Sequence, residues 1–299
     1  RIDVGSPKGR PGTWLLDPYD LTISDSVPDA GVDAGFTATG NNATLSAASI
    51  RAALDAGTNV TVSTGGAGGN QSGDLVVDGA NLTTSASSPG SLTLVADRHL
   101  DIRNGAELGS SFLSPVNLTL EAGRSGAGGL TITDSYLFTG GRISLNARSV
   151  SLLGATSLYS TAQGDAIVIA GPNNSAMSQF NNAAGYAALG VSFLGRWIIY
   201  FDDPASPSLN IGGLSYDFKR VSSAHGGWSG DYGNGLVFSK VQTATFSGSI
   251  FSRSYDGTTD VPLDYGSFTA VSQNGETGSG TEGMAARYVD KNAGVGKVA

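Results

Sequence analysis

Few side chains in this chain can do acid–base or nucleophilic chemistry at neutral pH: it has two histidines and no cysteine. His99 stands in Ala96-Asp97-Arg98-His99-Leu100, close to Asp97 and Asp101. Acid–base work there requires convergence in a cleft, whereas the flanking strand phrases describe a solvated turn. His225 stands in Ser223-Ala224-His225-Gly226-Gly227-Trp228-Ser229-Gly230-Asp231-Tyr232-Gly233. The aromatics of that glycine-rich loop offer faces for sugar rings, or else anchor a junction between domains. His225, Trp228 and Tyr232 are therefore the candidate glycan or interface contacts.

Asp78, Glu121 and Asn146 follow β phrases at similar outward positions. Carboxylates on neighbouring coils of a β-helix would make a calcium site or an acid–base pair acting on a polysaccharide. Here no Asp-x-Asp occurs, and the adjacent Asp202-Asp203 precedes a proline. Gly-x-Ser-x-Gly and the phosphate-binding Gly-x-x-x-x-Gly-Lys-Ser/Thr are both absent. No catalytic residue, metal ligand or cofactor is assigned, and the chain is not expected to be an enzyme. Asn-x-Ser/Thr triplets begin, among other positions, at Asn42, Asn59, Asn81, Asn117 and Asn173. Asparagine turns followed by threonine-bearing strands produce such triplets without any modification.

The elements that must position these residues are short and repetitive. Leu92-Thr93-Leu94-Val95, Leu118-Thr119-Leu120-Glu121, Ile143-Ser144-Leu145-Asn146 and Ile167-Val168-Ile169-Ala170 begin 26, 25 and 24 residues apart. Copies at Leu100, Leu130 and Val150 are interleaved with them, so each coil holds at least two strands and has room for a third. This is the signature of a stacked parallel β-helix. Alternation turns Leu75, Val77, Leu130, Ile132, Ile143, Leu145, Ile167 and Ile169 inward, with Thr119 and Glu121 outward. One segment, Ser46 to Gly57, has helical character: Ile50, Ala53 and Leu54 share a face, Ser46 or Ser49 caps it and Gly57 ends it. Gly171 to Asp203 is less regular, and fits either a long excursion or a weak helix before the strand Arg196–Tyr200.

A net charge of −8 disfavours nucleic acid and anionic lipid. No apolar run approaches the ~18 residues of a membrane-spanning helix. The chain opens at Arg1 without a signal-like segment and reads as a piece of a longer protein.

The block Gly12-Thr13-Trp14-Leu15-Leu16-Asp17-Pro18-Tyr19-Asp20-Leu21-Thr22-Ile23 resembles one found in filamentous-haemagglutinin-type, high-molecular-weight adhesins of the two-partner secretion route. Leu54 to Val62, Gly195 to Tyr200 and Tyr216 to Arg220 resemble the same family, so the likeness covers most of residues 12 to 220. Ser254-Tyr255-Asp256-Gly257-Thr258-Thr259-Asp260 and Tyr288 to Val298 resemble the opening and a later strand of the YDG repeat module, whose closing strands are missing here. The resemblance implies an extracellular, surface-attached protein serving attachment, aggregation or biofilm. It further implies an outer-membrane exporter and partners among surface glycans, surface proteins or further copies of the chain.

The expected fold is all-β: a right-handed parallel β-helix over 1–203, a transition segment over 204–235, and a small β-rich module over 236–299 with a truncated YDG-like unit. The expected function is that of a non-catalytic adhesin rod. The alternative is a β-helix that binds or degrades polysaccharide.

Overall fold

The computed structural model describes residues 19–65, 69–85, 90–110, 115–124, 126, 128–204, 206–221 and 232–240, together with five short strands beyond Val241. The chain divides into two compact units, Arg1–Lys240 and Val241–Ala299.

The first unit is a right-handed parallel β-helix with three sheets. The first sheet stacks Leu21–Ser24, Leu75–Asp78, Leu100–Arg103, Leu130–Thr133, Ser149–Leu153, Gln179–Asn182 and Leu209–Asn210. A second stacks Asn81–Thr84, Glu107–Ser110, Tyr136–Thr139, Ser157–Ser160 and Leu189–Val191. The third stacks Val60–Ser63, Leu92–Ala96, Leu118–Ala122, Ile143–Asn146, Gly164–Ala170, Gly195–Phe201 and Gly235–Phe238, with Phe218–Arg220 at its end. Each full coil thus carries three strands. The segment from Gly171 to Asp203 forms one of them, through Gln179–Asn182, Leu189–Val191 and Gly195–Phe201. Parallel pairing also continues past Asp203, since Gly235–Phe238 lies in register with Ile198–Phe201.

The repeated phrase sets the register. Leu92 pairs with Leu118, Leu118 with Ile143 and Ile143 with Ile167, so the four sequence starts are direct rung partners. The inward residues named from alternation are all buried, and stacked columns such as Leu94, Leu120, Leu145 and Ile169 form one continuous core. Each such side chain contributes about 1.5–3 kcal/mol on leaving water.

Not every inward position is apolar. Thr84, Ser110, Thr139 and Ser160 are rung partners at the end of the second sheet and are all buried. The hydroxyls of Ser110, Thr139 and Ser160 satisfy the backbone where the chain turns towards the third sheet, while that of Thr84 donates to the Asp55 carboxylate. The Thr139 hydroxyl donates to the Val116 carbonyl and accepts from Gly141 N–H at 3.0 Å, and Ser160 donates to the Gly141 carbonyl at 2.6 Å. Buried turn groups of this kind need such partners.

The helix α1, Ala47–Asp55, occupies the second-sheet side of the first described coil and packs on Asn81–Thr84. Ser46 is its cap, accepting from Ala48 N–H at 3.2 Å, while Ser49 instead donates to Asp29 at 2.6 Å. Ile50 and Leu54 are buried, and Gly57 leaves the helix at φ +76°. Ala43–Ser46 pairs in parallel with Leu21–Ser24 and is met by antiparallel bridging from Ala30. Together these cover strand edges that would otherwise template further pairing.

In the second unit Phe268–Ser272 pairs antiparallel with Ala244–Gly248 and with Thr277–Ser279, and Asp260–Val261 with Ala286–Arg287. Its described strands pair only antiparallel. The YDG-like residues Ser254 to Thr259 and Tyr288 to Val298, like the block Gly12 to Pro18, lie outside the described residues.

Candidate functional site

Among the described residues the sequence-level candidates fall at separate places on the solenoid, except that Glu121 and Asn146 adjoin. His225 and Trp228 lie outside the described residues. Tyr232 is 94% exposed. It precedes a turn in which Asn234 N–H donates to Asp217 at 2.7 Å and the Asn234 side chain accepts from Trp197 N–H at 2.9 Å. Tyr232 thus stands just before the strand Gly235–Phe238, with its ring exposed to solvent.

His99 sits at a corner joining successive coils. Its Nδ1 accepts from Gly129 N–H at 3.2 Å and its own N–H donates to Asp74 at 3.1 Å. Arg98 clamps the same Asp74 through both its Nε, at 2.7 Å, and a terminal nitrogen. Burial works to raise the Asp74 pKa, but the hydrogen bonds from Arg98 and His99 N–H and the Arg98 charge outweigh it and hold it below the usual value. Asp101, the other neighbour named for acid–base work, pairs with Arg103 at 3.1 Å. The corner is a rung-to-rung brace.

Asp78 and Glu121 are on different sheets, the first and the third. Asp78 accepts from Asn104 at 2.6 Å and from Arg103 at 3.1 Å, and the Asn104 bond in particular holds its carboxyl below the usual range. Glu121 and Asn146 are direct rung partners and share one groove. That groove, about 1080 Å³, runs along the corner between the third and first sheets, with Arg124, Arg148, Asn173 and Asp202 also on its walls. Asp202 is held ionised by Lys240 at 2.7 Å and by the Ser239 hydroxyl. Among the described residues no three His, Cys, Asp or Glu side chains gather as a metal site would require.

Four of the Asn-x-Ser/Thr asparagines are engaged in stacking. Asn59 precedes a third-sheet strand and accepts from Ser91 N–H at 3.0 Å one coil on; Asn117 accepts from Arg142 N–H at 2.9 Å in the same way. Asn42 bonds to Gln71 at 2.7 Å and Asn81 reaches Glu107 at 3.4 Å. The triplet arises because an asparagine that bridges coils is followed by a strand with threonine outward.

Sequence reasoning missed one outward feature. On the second sheet Phe138 and Tyr159 are rung partners and stack with centroids 5.6 Å apart and planes 9° apart, and Tyr136 beside them is 48% exposed. The alternation around buried Leu137 signals that these two aromatics face outward, but their stacking partner is 21 residues away and depends on register.

The geometry defines a parallel β-helix whose outward surfaces carry ion-pair braces, a polar corner groove and an aromatic strip. No family model, known protein or solved structure matches the chain. Among the described residues no helix is long and apolar enough to cross a membrane.

Proposed function

We propose that this chain is a non-catalytic rod segment of a large secreted surface adhesin, exported through an outer-membrane partner and serving attachment, aggregation or biofilm. The observation that carries the reading is the stack of three parallel sheets, whose one register shift among the described strands lies between Asp165 and Ile167. Its rungs are braced by side chains that elsewhere would be candidates for chemistry: Asp74, Asp78, His99 and four asparagines. A stack with this much lateral bonding is stiff and can hold a binding surface away from a cell. The resemblance of the Gly12–Ile23, Gly195–Tyr200 and Ser254–Asp260 blocks to filamentous-haemagglutinin-type adhesins and YDG modules supports the extracellular assignment. Separation of Asp78 from Glu121, and the ionised, lysine-paired state of Asp202, give little support to a general acid on this surface.

The test is surface display with and without residues 1–299, followed by attachment and aggregation assays. Loss of attachment on removal supports the reading. Attachment unchanged, with the same display level, refutes an adhesive contribution. Turnover of a polysaccharide that disappears in Glu121→Gln would refute the non-catalytic part.

A further inference from the structure

We propose that two copies of this chain associate at the last second-sheet strand, Leu189–Val191, with Tyr186 of each copy set against Phe193 and Leu194 of the other. The inference deepens the aggregation part of the adhesin reading and rests on it for its biological setting, but the interface is argued from local structure. Phe193 is 100% exposed, Tyr186 81% and Leu194 60%. These three side chains bracket the strand, and Tyr186 and Leu194 each stand four residues from Gly190 at its centre. A two-fold axis at Gly190 that sets the two strands antiparallel carries Tyr186 of each copy to Leu194 of the other, as the self-complementary patch of a symmetric dimer requires. The centre stays bare, because a Cβ on Gly190 would lie 2.6 Å from the Tyr159 ring.

Ordered backbone presents the exposed groups. Buried Asn182 clamps the turn that carries Tyr186: its side chain donates to the Gly185 carbonyl at 2.8 Å and accepts from Gly185 N–H at 3.1 Å. The turn that carries Phe193 and Leu194 is pinned to the preceding coil. There Ser192 N–H donates to the Ser160 carbonyl at 3.1 Å, and the Leu194 carbonyl accepts from Gly164 N–H at 2.9 Å. Contact therefore costs little backbone ordering.

Charge selects a second copy as the occupant. Residues 166–195 include no charged side chain and no histidine, in a chain of net charge −8. Identical acidic rods repel where their charged surfaces meet, and this span spares them that repulsion. The charges flanking it, Asp165 and Arg196, pair with each other at 2.6 Å. The strand edge is also unguarded. Helix α1 packs on the first strand of this sheet, whereas among the described strands none pairs beyond Leu189–Val191, which holds neither a charge nor a proline. Two aromatic rings per copy, at about 150–250 Å² each, make a contact of roughly 600–1,000 Å², below the ~1,200 Å² of stable complexes. A single pair is thus weak, and many rods on facing cells would make it effective by avidity.

The experiment is sedimentation velocity of the purified 299-residue chain over about 10 µM to 1 mM, the span of weak association. A dimer that grows with concentration is expected. Phe193→Asp and Tyr186→Asp each put a carboxylate into the contact and should raise the dimer Kd at least about tenfold. Thr61→Asp, the same charge at an exposed third-sheet position, should leave it unchanged. Thermal unfolding of each variant establishes that it is folded. A monomer at every concentration, or equal dimerisation of wild type and the folded Phe193→Asp and Tyr186→Asp variants, would overturn the proposal. A monomer that binds phosphatidylcholine vesicles, and loses that binding in Phe193→Asp, would overturn it as well and assign the patch to lipid. Failure here with cell attachment intact removes this interface alone. Dimerisation without any effect of display on attachment or aggregation removes the adhesin reading and leaves the interface.

Discussion

Shortening Leu145 to alanine tests the physical basis of the rod. Leu145 is fully buried and lies between Leu120 and Ile169 in direct register. The change removes three carbons, worth about 2.4 kcal/mol at about 0.8 kcal/mol per methylene. A cavity term adds to this, because the coils above and below are fixed by strand hydrogen bonds and cannot close the space. A total near 3–4 kcal/mol is expected. In a stacked array the loss concentrates in the altered coil and its neighbours. Urea unfolding should therefore show a lower midpoint for the solenoid. Hydrogen exchange should accelerate first in Leu118–Ala122, Ile143–Asn146 and Gly164–Ala170. Thr119→Ala, outward on a neighbouring coil, should cost less than about 0.5 kcal/mol. A Leu145→Ala cost below about 1 kcal/mol, or uniform acceleration of exchange through the rod, would refute the continuous rigid core.

Other expectations follow from the side chains that brace the coils. Thr139→Val keeps the shape but strips partners from Val116 O and Gly141 N–H, and should destabilise by about 1–3 kcal/mol in the same denaturation assay. Asn117→Ala should cost about 1 kcal/mol by freeing Arg142 N–H, whereas Asn173→Gly, at an exposed turn whose φ of +54° glycine adopts freely, should be neutral. Asp74, Asp78 and Asp202 all have lowered folded-state pKa values, so their contribution is present above the unfolded value of about 4 and is lost as pH falls through the lower folded values. The thermal midpoint of wild type should consequently fall below about pH 4, and the gap between wild type and Asp74→Asn should narrow on acidification; a gap that widens would contradict the sign.

The sequence was most legible where the chain turns with constant length. On the third sheet Leu92, Leu118, Ile143 and Ile167 keep near-equal spacing, and that alone predicts their pairing. On the first sheet Leu100 pairs with Leu130 and Leu130 with Val150, steps of 30 and 20 residues, because corner loops of different length intervene. No fixed period survives there. The inward Thr84–Ser110–Thr139–Ser160 column was hidden for another reason: serine and threonine also fill the outward positions, so composition cannot tell a buried hydroxyl from an exposed one. Asn182 is a similar case. It takes the place of an inward apolar residue opposite Leu152 and is satisfied by Gly185 and Ile211 carbonyls at 2.8 and 2.9 Å. The candidate site was least legible, since Asp78 and Glu121 look equivalent in the phrase but fall on different sheets.

This difference has a functional consequence. Register in the stack is set by inward columns and by bonds at the coil corners, so outward residues in mid-strand are free to vary without disturbing it. Phe138 and Tyr159 meet because Leu137 and Leu158 are paired inward, not because the aromatics themselves direct the fold. A surface of that kind can gain or lose a binding strip through a few outward substitutions. Core and surface are then separable: core substitutions such as Leu145→Ala should lower stability, whereas Tyr136→Ala, at a half-exposed ring, should leave it within about 0.5 kcal/mol. Finding that Tyr136→Ala lowers the unfolding midpoint as much as Leu145→Ala would show that the strip belongs to the scaffold.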